Sequence, residues 1–303
     1  MLQEDTIKAK HFPAPVARLR DYAQMMKPNL SFMIAFSSIV GYLFAPGISF
    51  VWKDVIALFI GGMLVTNASN IINQIIERYS DRMMKRTRTR PLPDGRMGTT
   101  EAWILTVISA VTGVALLSFY FNPLTGILSF ISLLLYGFAY TPMKKIHSIA
   151  TFIGAIPGAL PPLIGWVAAT NSFTSAADTG GWILFIIQFL WQFPHFWAIA
   201  WLGYDDYLKA GIMMLPSAQG KTNFTGLQCM FYSLPLIPMA MWPYTMEITG
   251  ITGTWIAVLV GVFYFIMSWR FYRKNDKKSA KSLLYSSFLY LPAVLLALLI
   301  DRI

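Results

Sequence analysis

Charge is scarce in this sequence of 303 residues, because Asp, Glu, Lys and Arg together make up only 13% of it. Hydrophobic residues make up 56%, whereas soluble globular domains have about 45–50%. This composition excludes an ordinary soluble domain and is typical of an integral membrane protein.

Cysteine is almost absent. The single residue, Cys229, excludes an internal disulfide and a metal site built from several cysteines. Acidic residues are also few, 14 against 24 Lys and Arg, and the formal net charge is +10. In so apolar a chain this excess favours a role in membrane topology over nucleic-acid binding, so no nucleic-acid partner is expected.

Long apolar stretches dominate the chain instead. A bilayer core of about 30 Å needs about 20 mostly apolar residues per helix. We therefore predict an all-α integral membrane protein with one nine-helix transmembrane domain over 29–303, after a cytoplasmic tail, 1–28, that lacks the features of a signal peptide. The nine predicted spans are 29–46, 55–76, 102–121, 124–140, 149–169, 182–202, 227–246, 251–272 and 282–301.

The positions of the basic residues support this count. With nine spans, every Lys and Arg except Lys53 and Arg302 falls in the N-terminal tail, in the loops after the second, fourth, sixth and eighth spans or, for Arg270, in the last turn of the eighth span. Positive charge collects on the cytoplasmic side of membrane proteins. The sequence therefore predicts a cytoplasmic N-terminus.

A polar stripe lies at the end of the second span. Asn70, Asn73, Glu77 and Asp81 recur every three or four residues, so a helix places them on one face. A basic run follows at once: Arg78, Arg82, Lys85, Arg86, Arg88 and Arg90. Mg²⁺ takes carboxylates and substrate phosphates as ligands, and arginine forks bind phosphate oxygens. The stretch therefore indicates a divalent cation that carries a phosphorylated substrate.

A second acidic pair, Asp205 and Asp206, closes the sixth span, four spans after Glu77 and Asp81. This offset predicts two similar helix-bundle halves that share a cytoplasmic mouth. Such a mouth suits a substrate with a diphosphate head and a hydrocarbon tail that lies among the helices. In the simpler alternative, the basic run is a topology signal touching anionic lipid, and the acidic residues pair with it.

Three segments carry a family resemblance. They are Asn73-Gln74-x-x-Glu77-x-x-x-Asp81, then Met84-x-Arg86-Thr87-x-x-Arg90-Pro91-Leu92, and Trp191-Gln192-x-Pro194-His195-Phe196 followed by Asp206-Tyr207. The chain resembles the UbiA superfamily of intramembrane prenyltransferases and, within it, the protoheme IX farnesyltransferases. It departs from the superfamily in its adjacent Asp205 and Asp206, which replace a DxxxD spacing, and in Tyr204, where many members have arginine.

The resemblance implies Mg²⁺-dependent transfer of a farnesyl group from farnesyl diphosphate to a vinyl group of heme B. Water addition would complete heme O for terminal oxidase biogenesis. The implied setting is the cytoplasmic membrane, with heme A synthase or a terminal oxidase as a downstream partner.

The resemblance also implies roles for particular residues. The metal ligands would be Asn73, Glu77 and Asp81, and the diphosphate clamp Arg82, Lys85, Arg86 and Arg90. The catalytic residues would be Asp81, Asp205 and Asp206, with one of the last two as the base near the captured water. The heme contacts would be His195, Gln192, Lys144, Lys145 and Lys209.

Three alternatives stay open. A UbiA-type enzyme that prenylates an aromatic quinone precursor would share the diphosphate site and differ in the acceptor, and the Trp191–Phe196 segment favours heme. A transporter should carry ionisable residues near the middle of the bilayer, whereas here they gather at one face. A non-catalytic oxidase assembly factor would tolerate loss of Glu77 and Asp81.

Overall fold

The computed structural model describes residues 15–303, so much of the predicted tail, 1–28, lies outside the described part. The described chain is helical, with one isolated β-bridge between Thr249 and Arg302, and the all-α prediction is confirmed. The α-helices are α1 Pro15–Met26, α2 Pro28–Phe44, α3 Trp52–Met83, α4 Thr99–Tyr120, α5 Pro123–Leu134, α6 Thr141–Met143, α7 Ala150–Thr170, α8 Thr179–Leu202, α9 Tyr204–Lys209, α10 Asn223–Ser233, α11 Leu236–Thr245, α12 Ile251–Lys274 and α13 Lys277–Ile300.

The helices fall where the apolar stretches predicted them. Within residues 15–303, eight helical segments are long and apolar enough to cross a membrane. The first predicted span corresponds to α2, which is apolar but has only 17 residues. The multi-pass architecture is therefore confirmed, while the count of nine crossings stays a prediction.

The long helices form two groups. In the first, α2, α3, α4, α5 and α7 pack on one another, and in the second α8, α10, α11, α12 and α13 do so. Contacts of α7 with α8 and of α2 with α13 join the groups. At Gly41 and Gly165, an added Cβ would lie 1.9 Å and 1.8 Å from carbonyl oxygens of the facing helix. Only glycine fits at these positions, because the backbones of α2 and α7 touch there.

The prolines in α7 do not break the helix, and side chains of neighbouring helices bind the carbonyls that these prolines leave without a donor. The sequence predicts an irregular helix here, yet α7 is continuous over Ala150–Thr170. Pro161 and Pro162 cannot donate to the carbonyls four residues earlier. Ser132 Oγ of α5 donates to the first of these carbonyls, at 3.2 Å, and Gln188 Nε2 of α8 donates to the second, at 2.8 Å. Side chains from both neighbouring helices thus replace the lost backbone bonds.

The interruption of the regular α-helix lies at the end of α5 instead. Leu135–Tyr140 forms a π-helix that leads into the short helix α6 and the loop that begins at Lys144. A π-helix shifts the following side chains around the helix axis and often occurs at functional sites. Here it precedes Thr141 and Lys144, which contact Asn73 and Glu77 of the polar stripe.

The amphipathic helix α1 folds back against the end of α3. Gln74 Nε2 donates to the carbonyl of Met25, at 2.7 Å. Arg96, in the loop after α3, forms an ion pair with the buried Asp21 of α1, with Nη2 and Oδ1 3.0 Å apart. The turn into α2 then places Lys27, with φ of 49°, beside the polar stripe.

Candidate active site

The polar stripe predicted on α3 is buried. Asn70, Asn73, Glu77 and Asp81 are each 5% exposed or less and lie along one face of the last turns of the helix. Buried polar groups normally have partners, so their contacts reveal how the site is organised.

Four contacts surround the stripe. Lys144 Nζ lies 2.7 Å from Glu77 Oε1, and Arg90 Nη1 lies 2.6 Å from Asp81 Oδ2. Asn73 Nδ2 donates to the hydroxyl of Thr141, at 3.3 Å, and Lys27 Nζ donates to Asn73 Oδ1, at 3.5 Å. Three cationic side chains therefore converge on two carboxylates and an amide.

The site holds three basic groups against two carboxylates. Burial lowers the pKa of Lys27 to about 7, and the charges of Arg90 and Lys144 act in the same direction. Burial also disfavours the charged form of Lys144, but the carboxylate of Glu77 and two nearby tyrosines together outweigh this, so the pKa of Lys144 is raised. Such an arrangement attracts a further anion.

One oxygen of the site is suited to a metal ion. Asp81 Oδ1 is buried and has no hydrogen-bond partner among residues 15–303. An unpartnered buried carboxylate oxygen is costly. The set of Asn73, Glu77 and Asp81 supplies the oxygen ligands that Mg²⁺ prefers, so the residues present fit this ion.

The predicted diphosphate clamp divides into separate groups. Arg90 lies in the site, whereas Arg82 Nε donates to the carbonyl of Pro93, at 2.9 Å, and braces the loop. Arg86 is exposed and donates to the hydroxyl of Tyr207, at 3.2 Å, while Lys85 is exposed.

The second acidic segment lies at the same end of the molecule. The contact of Arg86 with Tyr207 brings α9 beside the loop after α3. However, the side chain of Asp205 is 83% exposed and lies 3.9 Å from Lys221 Nζ, and Asp206 is half-buried. Over residues 15–303, no group of three or more His, Cys, Asp and Glu side chains could hold a metal ion. The two acidic pairs therefore do not form one carboxylate cluster.

An apolar cavity of about 550 Å³ opens from the stripe into the bundle. Asn70, one turn before Asn73, lines it on α3. On the other side it is lined by aromatic and polar residues of α8 and α13: Gln188, Trp191, Gln192, His195, Phe196 and Phe288.

Two of the predicted heme contacts, Gln192 and His195, thus face this cavity. Lys145 and Lys209 are exposed and do not line it, and Lys144 lies beside Glu77 instead. The contact of Lys144 with a heme propionate stays a prediction, since its ammonium lies beside the carboxylate of Glu77 and outside the cavity lining.

The sequence pattern does not predict that Lys27 and Lys144 lie beside the polar stripe. The available signal was the Lys27-Pro28 pair, since proline favours a helix start and fixes a turn before it.

The model of the UbiA prenyltransferase family matches residues 34–291. The chain belongs to this family. Within the family, the chain is 42% identical over 290 residues to the protoheme IX farnesyltransferase of Cytophaga hutchinsonii, covering 95% of this chain and 99% of the relative. The resemblance predicted from the motifs is therefore confirmed.

Solved structures share the UbiA fold. The chain is similar to a digeranylgeranylglyceryl phosphate synthase, with a TM-score of 0.76, 21% identity and coverage of 94% of this chain and 98% of the other. It is also similar to a UbiA homolog from Archaeoglobus fulgidus bound to GPP and Mg²⁺, with a TM-score of 0.65, 15% identity and coverage of 92% and 99%. At these identities the likeness establishes the fold alone.

Proposed function

We propose that this UbiA family member is a Mg²⁺-dependent farnesyltransferase that acts on heme B. It transfers the farnesyl group of farnesyl diphosphate to a vinyl group of the porphyrin, adds water and releases heme O for terminal oxidases. One observation carries the proposal: a buried row of metal-type ligands faces three cations at the edge of an apolar cavity. The relatives named protoheme IX farnesyltransferase support heme as the acceptor.

The diphosphate would bind where the cations converge. Asn73, Glu77 and Asp81 would hold Mg²⁺, which when bound withdraws negative charge from the phosphate oxygens. Arg90 and Lys144 now neutralise two carboxylates, and they would turn to the diphosphate once the metal takes over that role. Lys27 supplies a third positive charge.

Breaking the allylic C–O bond leaves its electron pair on the diphosphate. The fixed cations stabilise this charge as it develops, which is the main source of catalysis in such sites. The farnesyl chain would lie in the adjoining cavity, whose apolar lining excludes water from the allylic cation. Aromatic faces such as those of Trp191 and Tyr136 attract cations.

The orientation follows from charge. We place the mouth and the N-terminus in the cytoplasm, since the loop after α3 and the adjoining ends of α12 and α13 carry the largest basic clusters. This is the side on which a diphosphate substrate is available, and the membrane is the cytoplasmic membrane. The product would pass to heme A synthase or a terminal oxidase.

The test is a reaction in membranes that contain the protein, with heme B, farnesyl diphosphate and Mg²⁺, followed by mass analysis of extracted hemes. We expect farnesylated, hydrated heme from the wild type and very little from Asp81→Asn. A parallel reaction offers a hydroxybenzoate or a naphthoate in place of heme B. Prenylation of these acceptors without farnesylated heme would reject heme as the substrate, and undiminished product from Asp81→Asn would reject the site.

A further inference from the structure

The proposed reaction has a step that the diphosphate site does not serve. When the vinyl group attacks the farnesyl cation, its other carbon becomes cationic, and a water molecule must add there and lose a proton. Asp205 and Asp206 are poor candidates for accepting this proton, because neither lines the cavity and Asp205 is largely in solvent. Of the described residues that do line it, only Tyr136 and His195 have ionisable side chains.

The hydrogen-bond network decides the tautomer of His195. Its Nδ1 lies 2.7 Å from the hydroxyl oxygen of Ser287, and this hydroxyl donates its single proton to the carbonyl of Leu284, at 2.6 Å. With this proton on the carbonyl, Ser287 accepts from the imidazole, and the network thus assigns the hydrogen to Nδ1. Nε2 is left as an unprotonated nitrogen, and it has no hydrogen-bond partner among residues 15–303.

The imidazole is also held in place by aromatic rings. It stacks on Trp191, with ring centroids 4.9 Å apart and planes inclined by 22°, and it meets Phe288 edge-on at 5.3 Å. Trp191, Phe288 and His195 all line the cavity. A base that is fixed in orientation and tautomer, in a cavity otherwise poor in proton acceptors, is what the hydration step needs.

We propose that His195 is the base of the hydration step and that Ser287 is its positioning residue. The inference rests on the proposed farnesyl transfer to heme. The vinyl π electrons form the bond to farnesyl C1 as the diphosphate leaves with the C–O pair. Water oxygen then bonds to the cationic carbon, and its proton passes to Nε2 of His195, which becomes imidazolium.

The experiment measures two products in one assay. Without a base for water, the cation loses a carbon-bound proton and gives an alkene that is lighter than the hydrated heme by one water. We expect the ratio of hydrated to alkene product to fall about 100-fold in His195→Gln, since general bases contribute about 10²–10⁴-fold. Ser287→Ala should shift the ratio in the same direction by a smaller factor.

A matched control lies next to Ser287. Ser286 is also buried on α13 and donates to the carbonyl of Leu283, at 2.8 Å, but it does not contact His195. Ser286→Ala should keep the wild-type ratio, so that a shift in Ser287→Ala alone reports on the imidazole and not on a lost helix hydroxyl.

The outcomes separate this inference from the proposed function. No farnesylated heme of either kind from the wild type rejects the function itself. A wild-type ratio in His195→Gln, or loss of both products in a folded variant with an altered heme spectrum, overturns the inference and makes His195 a heme contact. If His195→Gln does not fold, Ser287→Ala decides, and an unchanged ratio there overturns the inference.

Discussion

The two ends of the helix bundle use the same kinds of charged residues in opposite ways. At the end that contains Asp81, cations outnumber carboxylates, and Asp81 Oδ1 has no hydrogen-bond partner within residues 15–303. At the other end, Asp54 accepts from the hydroxyls of Tyr42 and Tyr120, at 2.8 and 2.9 Å. Asp178 there accepts from the indole N–H of Trp166, at 2.9 Å.

Arg302 completes the second end. It donates to the carbonyls of Leu43, Ala45 and Ile48, the last two at 2.9 Å, and so ties the end of α2 and the loop after it to the C-terminus. These charges are satisfied by neutral groups of the protein itself. The charges around Asp81 pair with one another, and a metal diphosphate could exchange with each partner. We infer that one end stabilises the fold and the other binds substrate.

The largest effect should come from Asp81→Asn. Removing the charge while keeping the shape should lower farnesyl transfer by about 100-fold or more, because charge stabilisation in preorganised sites is worth that much. The measurement is the initial rate of farnesylated heme formation. Asp54→Asn is the control at the opposite end and should keep the wild-type rate. Equal losses in both variants would abolish the distinction between the ends.

Lys144→Met should raise the KM for farnesyl diphosphate by about 10–100-fold, which corresponds to a lost hydrogen bond between charged groups. The exposed neighbour provides the control, since Lys145→Met removes the same charge without touching Glu77. Steady-state kinetics at saturating heme would measure both. Similar KM values for the two variants would mean that Lys144 does not meet the diphosphate.

Asp178→Ala should leave the rate per folded molecule unchanged and destabilise the protein by about 1–3 kcal/mol, because buried donors lose their acceptor. These donors are Trp166 Nε1 and the hydroxyls of Ser172 and Ser175. The midpoint of heat-induced unfolding in detergent would measure the loss. Ser175→Ala, which removes one donor, should cost less. A lost rate with unchanged stability would contradict a purely structural role for this end.

The smallest effect concerns pH. Since burial lowers the pKa of Lys27 to about 7, its ammonium is largely charged below this pH and becomes neutral as the pH rises through it. The affinity for a diphosphate should therefore fall with rising pH, and the KM for farnesyl diphosphate should increase a few-fold from about pH 6 to about pH 8. Lys27→Arg, whose charge persists, should flatten this profile. An unchanged slope in this variant would show that another group titrates.

Much of the fold and the core of the site were predictable from local pattern. The apolar stretches fixed the helices, and the three- and four-residue spacing put Asn73, Glu77 and Asp81 on one face because a helix has 3.6 residues per turn. The basic run after α3 indicated an anion at this end of the helix, although only Arg90 of the predicted clamp lies in the site.

The rest depended on contacts between distant parts of the chain. Lys27 reaches Asn73 only because α1 folds back on α3, and Lys144 reaches Glu77 across 67 positions of sequence, after a π-helix. The exposure of Asp205 likewise depends on the position of α9 in the folded chain. The tautomer of His195 required Ser287, which lies 92 positions away. No local period encodes such pairings.

The two hydrogen bonds that replace the missing proline donors in α7 have a mechanical consequence. Ser132 belongs to the first helix group and Gln188 to the second, and they donate to the carbonyls of Pro157 and Gly158 in α7. Because α7 itself belongs to the first group, only the bond from Gln188, of these two, crosses between the groups, and a motion of one group against the other would have to break it. The groups pack less extensively where α2 meets α13, so we expect any widening of the cavity during turnover on that side.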